Sequence, residues 1–125
     1  MTMILLRIAL VFAVCTGTTL AAGISGDAKR GRRIHLGEET IAGVAACTTC
    51  HGKDANQTLA PTFPRLAGQY PDYLARTLSG YKDGTRKNAV MQPMASAMSK
   101  KDIDDVSVYF GSLKGDLDDL SKAPK

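Results

Sequence analysis

Cys47-Thr48-Thr49-Cys50-His51 decides how this sequence is read. Two thiols three positions apart, followed at once by an imidazole, form the C-x-x-C-H pattern that attaches a c-type haem. The spacing has a chemical reason. Each thiol can add to one of the two vinyl groups of a single porphyrin, and the adjacent His51 then has only a short reach to the iron. Chance coincidence of three such rare residues is remote in a chain of 125 residues. A dithiol redox pair calls for a βαβ setting, and no such pattern surrounds the motif. Structural zinc usually takes four Cys or His ligands. Beyond Cys15 the chain offers Cys47, Cys50, His51 and His35, with no second ligand pair.

The first residues read as a leader. Met1 to Arg7 carries one positive charge and no acid, Ile8 to Val14 is apolar, and Thr16 to Gly23 is small and weakly polar, ending Leu20-Ala21-Ala22-Gly23. That is the order of regions in a secretory signal, with cleavage expected after Ala21 or Ala22. The apolar run is short for a membrane span, which needs about 20 residues, so a membrane enters only if the leader stays uncleaved. Val14 is a poor fit to the residue before a lipid-modified cysteine, so Cys15 is expected to leave with the leader. Export and C-x-x-C-H support each other, because bacteria attach covalent haem outside the cytoplasmic membrane. The expected location is the periplasm.

What remains is one small domain, marginal in length for a core of side chains alone. It has no Trp and few aromatics, and a buried porphyrin would supply apolar volume. Removing Arg7 lowers the formal charge of +4 by one, and two haem propionates would bring it near neutral. The basic residues are dispersed and partly matched by acids, so the chain has no nucleic-acid footprint.

The mature part reads as all-α. Asp27 to Leu36 predicts a helix capped by Asp27, with Ala28, Gly31, Ile34 and His35 on one side and Arg30, Arg32 and Arg33 mostly on the other. Small Gly31 suggests close approach of another helix, and His35 reads as a partly exposed helix histidine rather than an iron ligand. Glu38 to Gly43 is a polar connection. Val44 to Cys50 is a turn or short helix that presents the thiols, and Gly52 leaves room beside the haem edge. Pro71 to Tyr81 predicts a helix with Pro in its first turn. Ser99-Lys100-Lys101-Asp102 is a near capping box opening a last helix to about Leu113, whose apolar face is Ile103, Val106, Phe110 and Leu113. From Gly115 the chain turns polar and is expected to fray. A thioether opposite imidazole raises the potential of a haem iron. Met91, Met94 and Met98 all lie where one could reach it, and spacing alone does not choose among them. Met98, just before the Ser99 cap, suits a packing role.

The sequence resembles class I c-type cytochromes. It is most similar to the small bacterial group whose diheme members carry two such domains in tandem. The residues that carry the resemblance are Cys47, Cys50, His51 and Gly52; Phe63 to Gln69; Tyr73-Leu74; Tyr81 to Arg86; Met91; Met98 to Ile103; and Tyr109-Phe110. It implies a fold in which N- and C-terminal helices cross, with short helices and loops around one covalent haem c. The crossing should fall at Gly31 against Tyr109 and Phe110. The resemblance selects Met91 as the sulfur ligand, with Met94 as the fallback; at position 98 the family usually has Leu. It also implies that the Pro64 carbonyl fixes the His51 ring, that Leu66 presses on the porphyrin, and that Gln69, Tyr73 and Arg86 meet the propionates. The longer stretch from Glu38 to Ala46 is an elaboration with no assigned role.

The expected organisation is a leader over 1–22, a cytochrome c domain over 23–115 and a flexible polar tail over 116–125. The expected function is one-electron transfer with His/Met ligation in a monomer that is not an enzyme, docking briefly at its haem edge with redox partner proteins. Two alternatives remain: a haem c subunit of a larger periplasmic oxidoreductase, and a five-coordinate haem protein that binds small ligands.

Overall fold

The computed structural model describes residues 23–116. The expected leader over 1–22 and the expected tail, from residue 117 on, lie outside the described residues. Among the described residues five helices follow one another: α1 (Ala28–Leu36), α2 (Thr48–His51), α3 (Pro71–Asp83), α4 (Met91–Ala97) and α5 (Lys100–Ser112). The only extended pairing among the described residues is an isolated bridge between Ile41 and Val44. No helix among them is long and apolar enough to cross a membrane.

Local chemistry explains where the two crossing helices begin. Asp27 Oδ1 accepts from the backbone N–H groups of Lys29 and Arg30 at 2.9 and 3.1 Å, satisfying donors that a helix start leaves free. The box at the start of α5 is complete. The Asp102 N–H donates to Ser99 Oγ at 3.1 Å, and the Ser99 N–H donates to Asp102 Oδ2 at 2.7 Å. Met98 and Ile103 flank that cap and are both buried in the main apolar cluster with Val106, Tyr109 and Phe110.

α1 packs on α5, and α3 packs on both α4 and α5. The first of these crossings is very close. A Cβ on Gly31 would lie 2.1 Å from the Asp105 carbonyl oxygen and 2.8 Å from Tyr109 Cβ. The expected crossing at Tyr109 is therefore present, displaced one turn toward Asp105.

Two expectations for α1 are corrected. His35 is not partly exposed; it is fully buried, 5.1 Å edge-on to the Phe110 ring and 5.5 Å from that of Tyr109. Its Nε2 donates to the Lys53 carbonyl at 3.2 Å. Burial pushes its pKa below the ordinary value, with the Lys53 bond opposing in part. Arg30 is not a solvent-facing residue like Arg32 and Arg33. Its guanidinium reaches Asp102 Oδ1 at 2.6 Å and Asp105 Oδ2 at 2.7 Å, with its Nε on Glu39. Three carboxylates draw it off the solvent face. Gly115, expected at the edge of the fraying tail, lies against the Ala67 carbonyl, and the Lys114 carbonyl accepts from Asn56 Nδ2 at 3.1 Å.

The stretch from Glu38 to Ala46 also gains a role. Glu39 ties it to Arg30 and Arg33, and Ile41 and Val44 pack on the apolar cluster.

Gly31→Ala should lower stability by about 3 kcal/mol, because neither the Asp105 backbone nor Tyr109 Cβ can yield to the new methyl; a guanidinium titration of the holoprotein measures it. Burial alone would raise the Asp102 and Asp105 carboxyls. Hydrogen bonds from Ser99 and Arg30 to Asp102, and from Lys101, the Asp27 N–H and Arg30 to Asp105, outweigh burial and hold both pKa values below the ordinary one. A carboxyl whose folded pKa is depressed contributes stability above its unfolded pKa and loses it as pH falls through the folded value. Asp105→Asn should therefore cost about 2 kcal/mol at neutral pH. The gap to wild type should narrow below about pH 4, as read by acid unfolding of both proteins.

Candidate haem site

The motif residues form a single turn. Cys47 precedes α2, and its carbonyl accepts from the N–H groups of Cys50 and His51 at 3.3 and 2.9 Å. Positions three apart on such a turn share a face, so both thiols front the same space. Both are free. Burial pushes the Cys47 thiol up to about 11, with the neighbouring Cys50 adding to the shift. A dithiol redox centre works with a lowered thiol pKa, so this environment opposes that role. Among the described residues, no group of three or more His, Cys, Asp or Glu side chains is placed to hold a metal ion.

The loop after α2 is folded back on the motif. The Cys50 carbonyl accepts from the Leu59 N–H at 3.0 Å, and the Ala55 carbonyl accepts from the N–H groups of Leu66 and Ala67 at 2.8 and 3.2 Å. Asp54 Oδ1 receives the N–H groups of Asn56 and Gln57. Gly52 starts this loop at φ +80, and a Cβ there would lie 2.0 Å from the Gln57 carbonyl oxygen. Its small size serves the loop's own turn, not the room at a haem edge that the sequence suggested.

The fold-back brings Pro64 to His51. His51 is buried, and its Nδ1 lies 2.9 Å from the Pro64 carbonyl oxygen. A carbonyl can only accept, so Nδ1 carries the proton and donates, leaving a lone pair on Nε2. That is the tautomer a metal-binding imidazole needs, with its outer nitrogen oriented by a second partner.

These groups open onto one largely apolar cavity of about 480 Å³, within the range of cofactor sites. Every site residue singled out in the sequence lines it: Cys47, Cys50, His51, Pro64, Leu66, Gln69, Tyr73, Arg86, Met91 and the fallback Met94. Met98 reaches it too, although it is buried in the apolar cluster. At the polar rim, the Arg86 guanidinium lies 5.2 Å from the centre of the Tyr81 ring, and Gln69 Oε1 accepts from the Tyr70 N–H at 2.9 Å. Two free thiols on one turn, an imidazole with a spare lone pair, thioether sulfurs and apolar walls suit a covalently held porphyrin in kind and in volume.

Other lining residues were not named as site residues, among them Val44, Phe63, Thr77 and Asn88. Asn88 matters most. Its Oδ1 accepts from the N–H groups of Val90 and Met91 at 2.9 Å each, starting the helix that carries Met91. An Asn shortly before a helical run is a capping signal, so this one was open to discovery from sequence.

The profile of the cytochrome c family matches residues 35–114. Cytochrome c-554(548) of Halomonas halodenitrificans is 43% identical over 72 residues, covering 55% of this chain and 86% of that protein. A thiosulfate dehydrogenase electron acceptor of Stutzerimonas stutzeri is 36% identical over 94 residues, covering 75% of this chain and 44% of that protein. The solved structure of Acidithiobacillus ferrooxidans cytochrome c4 superposes with a TM-score of 0.65 at 38% identity, covering 73% of this chain and 53% of that one. The chain thus spans most of the first relative and about half of the other two. Since the matched segment contains the C-x-x-C-H turn and most of the cavity wall, this chain belongs to the cytochrome c family, whose members transfer electrons on covalently bound haem c.

Proposed function

We propose that this chain is a periplasmic one-electron carrier that holds one haem c through Cys47 and Cys50, with His51 and Met91 as the axial ligands. What carries the reading is one observation: both thiols, the buried imidazole and the Met91 side chain line the same apolar cavity. Bound there, the cofactor supplies an iron that passes between ferric and ferrous with no bond made or broken. The chain's residues do the rest. Pro64 holds the His51 ring by its proton. Leu66, Leu74 and Phe110 exclude water from the cavity wall, and a dry site opposes the extra charge of ferric iron. Gln69, Tyr73 and Arg86, at the rim, receive the propionates. Met91 is preferred over Met94 because Asn88 fixes its backbone N–H directly and because of the family resemblance.

Export rests on the signal-like order of residues 1–22, ahead of a domain over 23–115 and a polar tail over 116–125. Redox partners would dock briefly near the Cys47 side, steered by lysines.

A second reading makes this domain a haem subunit of a larger oxidoreductase. The relative named as a thiosulfate dehydrogenase electron acceptor favours it. Size-exclusion of the native protein separates the two: a lone carrier elutes as a small monomer, a subunit with its enzyme.

Met91→Ala should open the ferric protein to rapid cyanide binding and lower the reduction potential by on the order of 100 mV, within the ~0.8 V that axial ligands span. Spectral titration with cyanide and voltammetry measure both. Rapid cyanide binding to the unaltered protein would instead favour the five-coordinate alternative. If Met94→Ala has these effects and Met91→Ala has none, the sulfur ligand is Met94.

A further inference from the structure

The helix that carries Met91 and Met94 has seven residues and no basic residue in its last turn. So short a helix does not persist on its own hydrogen bonds, and its final carbonyls lack partners within it. The missing cation comes from another helix. Lys82, in the last turn of α3, sends Nζ to the Ser96 carbonyl at 3.1 Å and to the Met98 carbonyl at 2.6 Å. A positive charge at a helix C-terminus is favourable, and hydrogen bonds from an ammonium are stronger than neutral ones. Among the described residues Lys82 makes no ion pair; its donors go to these carbonyls. At the other end Asn88 holds the N–H groups of Val90 and Met91, and the Asn88 carbonyl takes the Gln92 N–H at 3.0 Å. The segment is fastened at both ends, and at the Lys82 end the hydrogen bonds cross to α3, on which α4 also packs.

We propose that Lys82 is a positioning residue for the sulfur ligand: it latches the carboxyl end of α4 onto α3 and so sets how often Met91 leaves the cavity. The proposal rests on the reading of Met91 as that ligand. Lys82 does not line the cavity, so it acts through the placement of α4. Its stem reaches the carbonyls from outside, and loss of the ammonium frees both carbonyls at once.

The test uses ferric holoprotein and cyanide as the probe. Lys82→Met keeps the length of the stem and removes the donors; Lys82→Arg keeps a cation; Lys82→Leu stands in if Lys82→Met does not fold. Met91→Ala is the open reference. The first variant should bind cyanide about tenfold faster than wild type, as expected for losing hydrogen bonds from a charged donor. Its sulfur-to-iron charge-transfer band should fade at a lower temperature, and Lys82→Arg should stay near wild type. The guanidinium midpoint should move too little to account for the faster entry. A wild-type cyanide rate in Lys82→Met beside a fast Met91→Ala overturns the latch and leaves the ligand reading intact. A rate that rises only in step with global unfolding also overturns it. Unchanged binding in Met91→Ala overturns the ligand reading, and the latch with it.

Discussion

The crossing of α1 over α5 holds the two ends of the domain together, and the site depends on it. Gly31 lets the backbones meet at Asp105, and Arg30 then bonds to carboxylates more than seventy residues away along the chain. Closing so long a loop costs entropy, and this contact offsets it with buried apolar area beside a set of charge-assisted hydrogen bonds. Everything between the two helices is then a set of short elements and loops whose ends are already tied.

From that crossing the order reaches the cavity through few intermediates. His35 on α1 packs against Phe110 and bonds to the carbonyl of Lys53, two residues beyond the motif. Phe110 forms part of the cavity wall. α3 rests on α5 and carries α4 beside it, so the thioethers are braced, through α3, on the helix whose Phe110 meets His35. A carrier that exchanges electrons without making or breaking bonds gains from ligands that keep their places, because less of the surroundings must rearrange. Rigid placement of the ligating groups by surrounding bonds is the design such a site calls for.

Much of this was legible in the residues because its causes are local. Asp27 and Ser99-x-x-Asp102 satisfy helix-end donors within a few positions, and Pro71 opens α3 without losing a needed donor. Cys47, Cys50 and His51 share a turn by spacing alone. The methionines were narrowed to one by family resemblance, not by spacing, because side chains within eight positions of one another all reach the same cavity. Among the features that escaped are the burial of His35, the inward turn of Arg30 and the role of Glu39. Each depends on partners far along the chain, and helix periodicity does not report what stands opposite a face.

The sequence by itself determined the all-α class, the C-x-x-C-H turn, the starts of α1, α3 and α5 and the small residue at the crossing. Those follow from hydrogen bonds and covalent reach inside a short window. Only the tertiary structure decided that Arg30 faces α5, that Gly52 makes room for the Gln57 carbonyl, and that Lys82 ends a helix it does not belong to. Those are contacts between segments, and a side chain's partner across space is set by how the whole chain closes.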